Sequence, residues 1–256
     1  VGTTEFVTLK ADDGTPLYGK LHKPTTLDPN KKYPVLIYVY GGPHAKQVKN
    51  EWLADTYLWL HSFVENEQYI VFTLDNRGSE NRGFAFESVI HRHLGETEIK
   101  DQLKGVDYLK SLPYVDGNRI AVHGWSFGGF MASSLLTRHP DVFTTAVAGG
   151  AVTDWKYYEV MYGERYMDTP KENPEGYENS RVSKYLDNLN RPLLFIHGSI
   201  DDVVVTQHLM TITRDAIKKN KFIDTFIYPM HAHGVRGSDH IHLTQQIIDY
   251  IKTNNL

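Results

Sequence analysis

Cysteine is absent from this chain. Its absence excludes disulfide scaffolds, thiolate zinc sites and cysteine nucleophiles outright. It is silent on compartment, because a cysteine-free chain suits reducing and oxidising surroundings alike. Long apolar runs are missing too, and none approaches the roughly 20 residues that cross a bilayer. Charge of one sign is scarce: 27 Lys+Arg against 31 Asp+Glu leave a net charge of −4. That is too little to argue for nucleic acid or an anionic membrane as partner. No internal repeat, low-complexity tract or signal peptide is visible. The first residue is Val1 rather than Met, as expected of a processed or truncated chain.

What is present is an ordinary globular composition, 41% apolar and 23% charged over 256 residues. A single domain of that length buries a large core and needs no disulfide or metal staple. Residues 1–32 read as a lead-in. Two strand-like stretches, 5–10 and 17–22, flank the turn Asp12-Asp13-Gly14, and residues 25–32 form a polar loop. After them short apolar runs alternate with helical patterns. The runs are 34–40, 69–74, 119–123, 145–148, 192–197 and 225–228. The helical patterns are 52–64, 98–111, 129–138, 207–219 and 240–252. Continuous apolar strands separated by amphipathic helices predict an α/β fold, with a mostly parallel central sheet and helices on both faces. In such sheets chemistry gathers just beyond the carboxyl ends of the strands.

One such strand end carries Gly124-Trp125-Ser126-Phe127-Gly128-Gly129. A buried strand precedes it and a helical stretch follows, which is the context of a nucleophile elbow in the α/β-hydrolase fold. Glycines permit the sharp turn, and the helix that begins there offers free N–H groups. A chance match in a glycine-rich turn is the competing explanation, and the strand and helix argue against it. Ser126 is therefore the candidate nucleophile. It requires a base, and the base requires a carboxylate, in the chain order Ser, Asp or Glu, His. Asp201 and Asp202 follow the 192–197 strand, and one of them is expected to cap the next helix instead. His231 and His233 follow the 225–228 strand, and spacing does not choose between them. His208, His240 and His242 fall in helical patterns. No histidine pair at ligand spacing has a third partner, so no catalytic metal and no cofactor is expected.

Taken together the motifs resemble the catalytic domain of the prolyl oligopeptidase family, from about Tyr33 to Tyr250. They are Tyr38-Val39-Tyr40-Gly41-Gly42-Pro43, Asp75-Asn76-Arg77-Gly78-Ser79, the elbow, Glu164-Arg165-Tyr166-Met167, His197-Gly198-Ser199-Ile200-Asp201-Asp202 and His233-Gly234. The resemblance implies that Asp201 is the acid and that His233, directly before a glycine, is the base. The three side chains should meet within hydrogen-bond reach. It further implies an oxyanion hole made of the Tyr40 hydroxyl and the Phe127 N–H. Read by itself, Tyr40 is equally a core aromatic at a strand end.

Residues 151–162 read alone as an aromatic-rich helix packed on the core. By the resemblance, Val152, Trp155, Tyr158, Tyr162 and Val204 line a small apolar pocket that suits the flat proline ring. Arg165, otherwise an ordinary surface arginine, would then face polar groups of the substrate. Two positions depart from the family's pattern. Val203 stands where its dipeptidyl peptidases usually carry an asparagine, and Phe127 stands where tyrosine is common.

The function implied is that of a serine peptidase acting on short peptides after proline or alanine and releasing N-terminal dipeptides. An acyl-peptide hydrolase or esterase, or a non-catalytic interaction domain, are the alternatives. The partners implied are a peptide substrate and an N-terminal β-propeller in a longer parent chain, with room for a homodimer. Residues 1–256 would then be one catalytic domain cut from that parent.

Overall fold

The computed structural model describes residues 2–256. In chain order its elements are β1 (Thr3–Lys10), β2 (Pro16–Lys23), β3 (Tyr33–Tyr38), α1 (Leu58–Glu67), β4 (Ile70–Asp75), α2 (Phe84–Ser88), α3 (Thr97–Ser111) and β5 (Val115–Trp125). They continue with α4 (Phe127–Arg138), β6 (Thr145–Gly149), α5 (Val160–Met167), α6 (Pro174–Ser180), β7 (Leu193–Gly198), α7 (Gln207–Lys218), β8 (Asp224–Tyr228) and α8 (Asp239–Asn254). The strands form one sheet of eight in the order β1-β2-β4-β3-β5-β6-β7-β8. From β4 to β8 every pairing is parallel, and only the β1–β2 and β2–β4 pairings are antiparallel, so β2 alone runs against the rest. The expected α/β-hydrolase architecture is the one observed.

The strand period of two divides the core into two layers. Leu36, Val71, Ala121, Val147 and Ile196 point to one face, where they meet Leu60, Phe63 and Val64 of α1 and Leu243, Ile247 and Ile251 of α8. Their neighbours Val35, Ile37, Phe72, Val122, Ala146 and Phe195 point to the other face, under Val106 and Leu109 of α3, Phe130 and Leu135 of α4, and Leu209 and Ile212 of α7. Pro34 lies within β3 although proline lacks the ladder N–H. The β3–β5 register is irregular between Tyr33 and Val35, which takes that residue out of the ladder.

Residues Thr3–Lys10 and Pro16–Lys23 of the lead-in prove to be part of the sheet rather than a preamble to it. β2 pairs with β4 from Tyr18↔Asp75 to His22↔Val71. Arg77 fastens the hairpin turn from outside the hairpin. Its guanidinium meets Asp12 at 2.7 Å, Asp13 at 3.1 Å and the fully buried Asp101 at 2.8 Å.

The helix expected over 52–64 is broken. A single 3-10 turn, Trp52–Asp55, holds Leu53 and Ala54 at φ 54° before α1 begins. The cause is a distant residue: buried Lys20 donates to the carbonyls of Gln47 (2.6 Å) and Ala54 (2.7 Å), holding that backbone in place. The aromatic-rich segment is likewise two pieces. A 3-10 turn, Trp155–Tyr157, is capped by Asp154, and α5 follows. The short helices α2 and α6 have no counterpart in the sequence pattern; α6 starts with Pro174 in its first turn and an Asn173 cap.

Glu98 on α3 is buried, with one oxygen bonded to the Gly95 N–H at 2.9 Å and the other unpartnered. Burial pushes its pKa up from 4.5 to about 8, against the pull of its own and the Gly95 amides. Between those values the folded state holds a proton that the unfolded state has released, so stability should fall as pH rises through that window. Glu98→Gln should remove that part of the slope. The check is chemical denaturation at several pH values between 4.5 and 8; an unchanged slope would show that Glu98 ionises freely in the fold.

Candidate active site

β5 runs into α4 with Ser126 as the single residue between them. Ser126 sits at φ 61° and ψ −118°, a conformation that a non-glycine residue adopts only when its surroundings impose it. Close packing imposes it here. A Cβ on Gly124 or on Gly128 would lie 2.3 Å from the Val39 carbonyl oxygen, so both positions must lack a side chain. The Ser126 N–H donates to Gly149 O at 2.9 Å, which ties the turn to the end of β6. Phe127 opens α4, and its N–H has no acceptor inside the helix. Its ring is buried against Tyr40, Phe130 and Trp155 at centroid distances of 6.1, 5.3 and 5.4 Å.

The loop after β7 presents Asp201, whose carboxylate is buried. Oδ1 accepts from the N–H groups of Val203 (3.0 Å) and Val204 (2.8 Å). Oδ2 accepts from Nδ1 of His233 at 2.8 Å. Burial pushes the Asp201 pKa up, and the bond from His233 with the two amides outweighs it, so the net shift is downward. Asp202 is exposed.

His231 faces elsewhere. Its Nε2 meets Asp239, in the first turn of α8, at 2.7 Å. The His233 ring instead packs over Gly150, the residue that follows β6: a Cβ on Gly150 would lie 3.0 Å from His233 Cε1. One expected contact differs. Among the described residues no hydrogen bond joins the Ser126 hydroxyl to His233. Such bonds are often long before substrate binds and tighten in the complex.

Tyr40 follows β3, half-buried beside Phe127. Burial pushes its hydroxyl pKa up, with Tyr166 adding to the effect, so at neutral pH it remains a donor. Trp155, Tyr158 and Tyr162 come together as expected. Trp155 stacks on Tyr162 at 5.8 Å with planes 10° apart, and Tyr158 stands edge-on to both. Val152 and Val204, at 1% and 0% exposure, lie in the core cluster together with Trp155. Arg165 is exposed, lies over the Tyr166 ring and donates to His44 Nε2 at 3.2 Å.

Two residues that sequence reasoning left without a role also belong to the site. His197, the last side chain of β7, lies 3.5 Å from Asp201 Oδ2 and donates from Nε2 to Val204 O at 2.6 Å. It thereby closes the loop that carries the acid. Trp125 donates from its indole to the His233 carbonyl at 2.8 Å. A strand-end histidine just before an acidic loop, and an indole N–H inside an apolar elbow, were the available signals.

Because the Gly128 position borders a backbone oxygen that cannot swing aside, Gly128→Ala should cost roughly 1–3 kcal/mol of stability. Urea unfolding measures it, and an unchanged midpoint would mean that the elbow is looser than its geometry.

Comparison with known proteins gives a consistent picture. Human dipeptidyl peptidase 8 is 35% identical over 98% of this chain, which spans 28% of that protein. A dipeptidyl aminopeptidase of Schizosaccharomyces pombe is 40% identical over 83% of the chain, which spans 27% of it. The crystal structure of Porphyromonas gingivalis dipeptidyl peptidase 4 superposes with a TM-score of 0.92 at 33% identity, over 99% of this chain and 36% of that one. A Bacteroides ovatus structure described as a dipeptidyl aminopeptidase IV superposes with a TM-score of 0.97 at 50% identity, over the same shares. The chain thus spans little more than a quarter of the curated relatives and about a third of the solved ones. Residues 54–255 match the model of the prolyl oligopeptidase family, and the chain belongs to that family.

Proposed function

We propose that this chain is the catalytic domain of a serine peptidase that cuts short peptides after proline or alanine and releases N-terminal dipeptides. The observation that carries the reading is the 2.8 Å bond from His233 to a buried carboxylate, on a loop that packs beside the strained Ser126 turn. In the proposed reaction Ser126 Oγ attacks the substrate carbonyl carbon while its proton passes to His233 Nε2. Asp201, kept ionised by its three donors, holds the proton on Nδ1 and balances the imidazolium charge. The carbonyl oxygen, now negative, accepts from the Phe127 N–H and the Tyr40 hydroxyl. Collapse breaks the C–N bond, and His233 returns the proton to the departing amine. Water, activated by the same histidine, then cleaves the acyl-enzyme.

The substrate ring would rest on Tyr158 and Tyr162, the partly exposed members of the aromatic cluster, with Trp155 behind them. Arg165, hydrogen-bonded to His44, would stand at the rim. A parent chain with an N-terminal β-propeller would capture the free substrate N-terminus, and residues 1–256 would form one domain of it. The relatives' greater length supports that reading. The β8 edge, unpaired in this sheet, with exposed Phe222 before it and Ile241 on α8, offers a face for a homodimer. An acyl-peptide hydrolase or esterase is the second reading. Val203 favours it, because a valine side chain cannot hydrogen-bond a substrate carbonyl.

A fluorophosphonate probe should label Ser126, and Ser126→Ala should abolish labelling; label on another serine would refute the mechanism. His233→Ala should lower kcat by about three orders of magnitude or more, whereas His231→Ala, whose partner is Asp239, should stay within about tenfold of the parent.

Specificity is read from kcat/KM of the full-length protein on peptides that differ only in having Pro, Ala, Leu or Arg before the cut. Pro and Ala should lead, since the aromatic walls hold no acid to pair with Arg. A lead for Arg or Leu would overturn the pocket assignment and leave the catalytic groups untouched. A simple ester cleaved far better than the prolyl amide would favour the second reading.

A further inference from the structure

Asn76 follows β4 and has no exposed surface. Both donors of its side-chain amide, and its carbonyl oxygen, are engaged with backbone or with another amide. Nδ2 donates to Gly41 O at 2.9 Å and to Arg77 O at 2.8 Å. Oδ1 accepts from Nε2 of Gln102, on α3, at 3.0 Å. Gln102 is buried too, and the same Nε2 donates to Leu74 O at 2.9 Å. The orientation of the amide follows from its partners, because the two carbonyls can only accept and the nitrogen must face them.

Gly41 is the residue directly after Tyr40. Directly before Tyr40, the Val39 N–H donates to His123 O at 2.9 Å, inside the sheet. The backbone of Tyr40 is therefore bracketed: β5 holds it on one side and Asn76 on the other. The side chain of Tyr40 has no such tether. It packs on Phe127, at 6.1 Å between ring centroids. The place of its hydroxyl is thus set by where the backbone is held. An oxyanion donor is effective only if it already stands where the charge develops, within about 0.5 Å.

We infer that Asn76, backed by Gln102, is a positioning residue that holds the Tyr40 hydroxyl in place for the oxyanion. This inference rests on the proposed role of Tyr40. A buried primary amide is a costly filler for a core position, since each polar atom must be repartnered. What distinguishes position 76 is that its donor reaches the carbonyl of the residue that follows the proposed catalytic tyrosine.

The test is a double-mutant cycle in the full-length protein with a prolyl anilide substrate. Tyr40→Phe should lower kcat by about a hundredfold. Asn76→Ala should lower kcat by about tenfold with KM within about twofold, the size of a neutral hydrogen bond made effective only in the transition state. In the Tyr40→Phe background Asn76→Ala should cost less than about twofold, because the group it positions is gone.

Should Asn76→Ala fail to fold, Gln102→Met, uncharged and nearly isosteric, releases Asn76 Oδ1 while leaving the Gly41 bond. Its expected loss is about threefold, again vanishing in the Tyr40→Phe background. Tyr40→Phe with unchanged kcat would overturn the oxyanion reading and this inference with it. A large effect of Tyr40→Phe beside an unchanged kcat for Asn76→Ala, or for Gln102→Met where that variant is used, would overturn the inference alone. So would full multiplicativity of the two losses, which marks a general structural effect.

Discussion

The carbonyl oxygen of Val39 is the point where three stretches of backbone converge. The end of β3, the end of β5 and the first turn of α4 approach it so closely that a Cβ at Gly124 or Gly128 would stand 2.3 Å away. A side chain at either position would push α4 off the sheet. Without one, α4 begins directly over the strand ends, Ser126 is forced to φ 61°, and the unsatisfied N–H groups of the helix face the space above β3 and β5. Tyr40, one residue beyond Val39, enters that same space. The proximity of Ser126, Phe127 and Tyr40, on which the proposed nucleophile and oxyanion donors rest, is thus one packing fact seen from three sides.

The acid and base meet through a different kind of constraint. Burying a carboxylate is costly unless donors surround it. Asp201 has two amides from its own loop and one imidazole N–H, with His197 beside it fastening the loop to β7. The result is a carboxyl whose pKa is lowered in spite of burial. His231 shows the contrast two residues away. It too meets a carboxylate, Asp239, but that carboxylate is exposed, where the pair is screened by solvent and worth little. What separates the two histidines is the burial of the partner, which no local spacing in the chain encodes.

This marks the boundary of what was legible in the sequence. The parallel sheet was readable because strands such as 70–75 are buried on both faces and so are mostly apolar. The elbow was readable because strand, glycines and helix are contiguous. Features built by residues far apart were not readable. The backbone at residues 52–55 is held by Lys20, from β2. The lead-in joins the sheet through the pairing of β2 with β4, and Arg77 ties its turn to Asp101. Burial was not readable either: Val152 and Val204 lie in the core cluster, and family motifs fix a residue's place along the chain and not its depth. The aromatic rings that do reach the surface have these valines in the core cluster behind them.

The two halves of the proposed machinery differ in how firmly they are set before substrate arrives. The acid and base are joined at 2.8 Å, and the elbow is locked by backbone contacts. The link between them, from Ser126 to His233, is not made. His233 is carried on the loop after β8, at the far side of the sheet from β1, and it is held by Asp201 and by Trp125 through its own carbonyl. Trp125 is itself the residue before Ser126. The indole therefore couples the elbow to the histidine backbone, and the ring is tied separately to Asp201. In the proposed reaction the remaining contact, from His233 to the serine hydroxyl, is the one that substrate binding would complete.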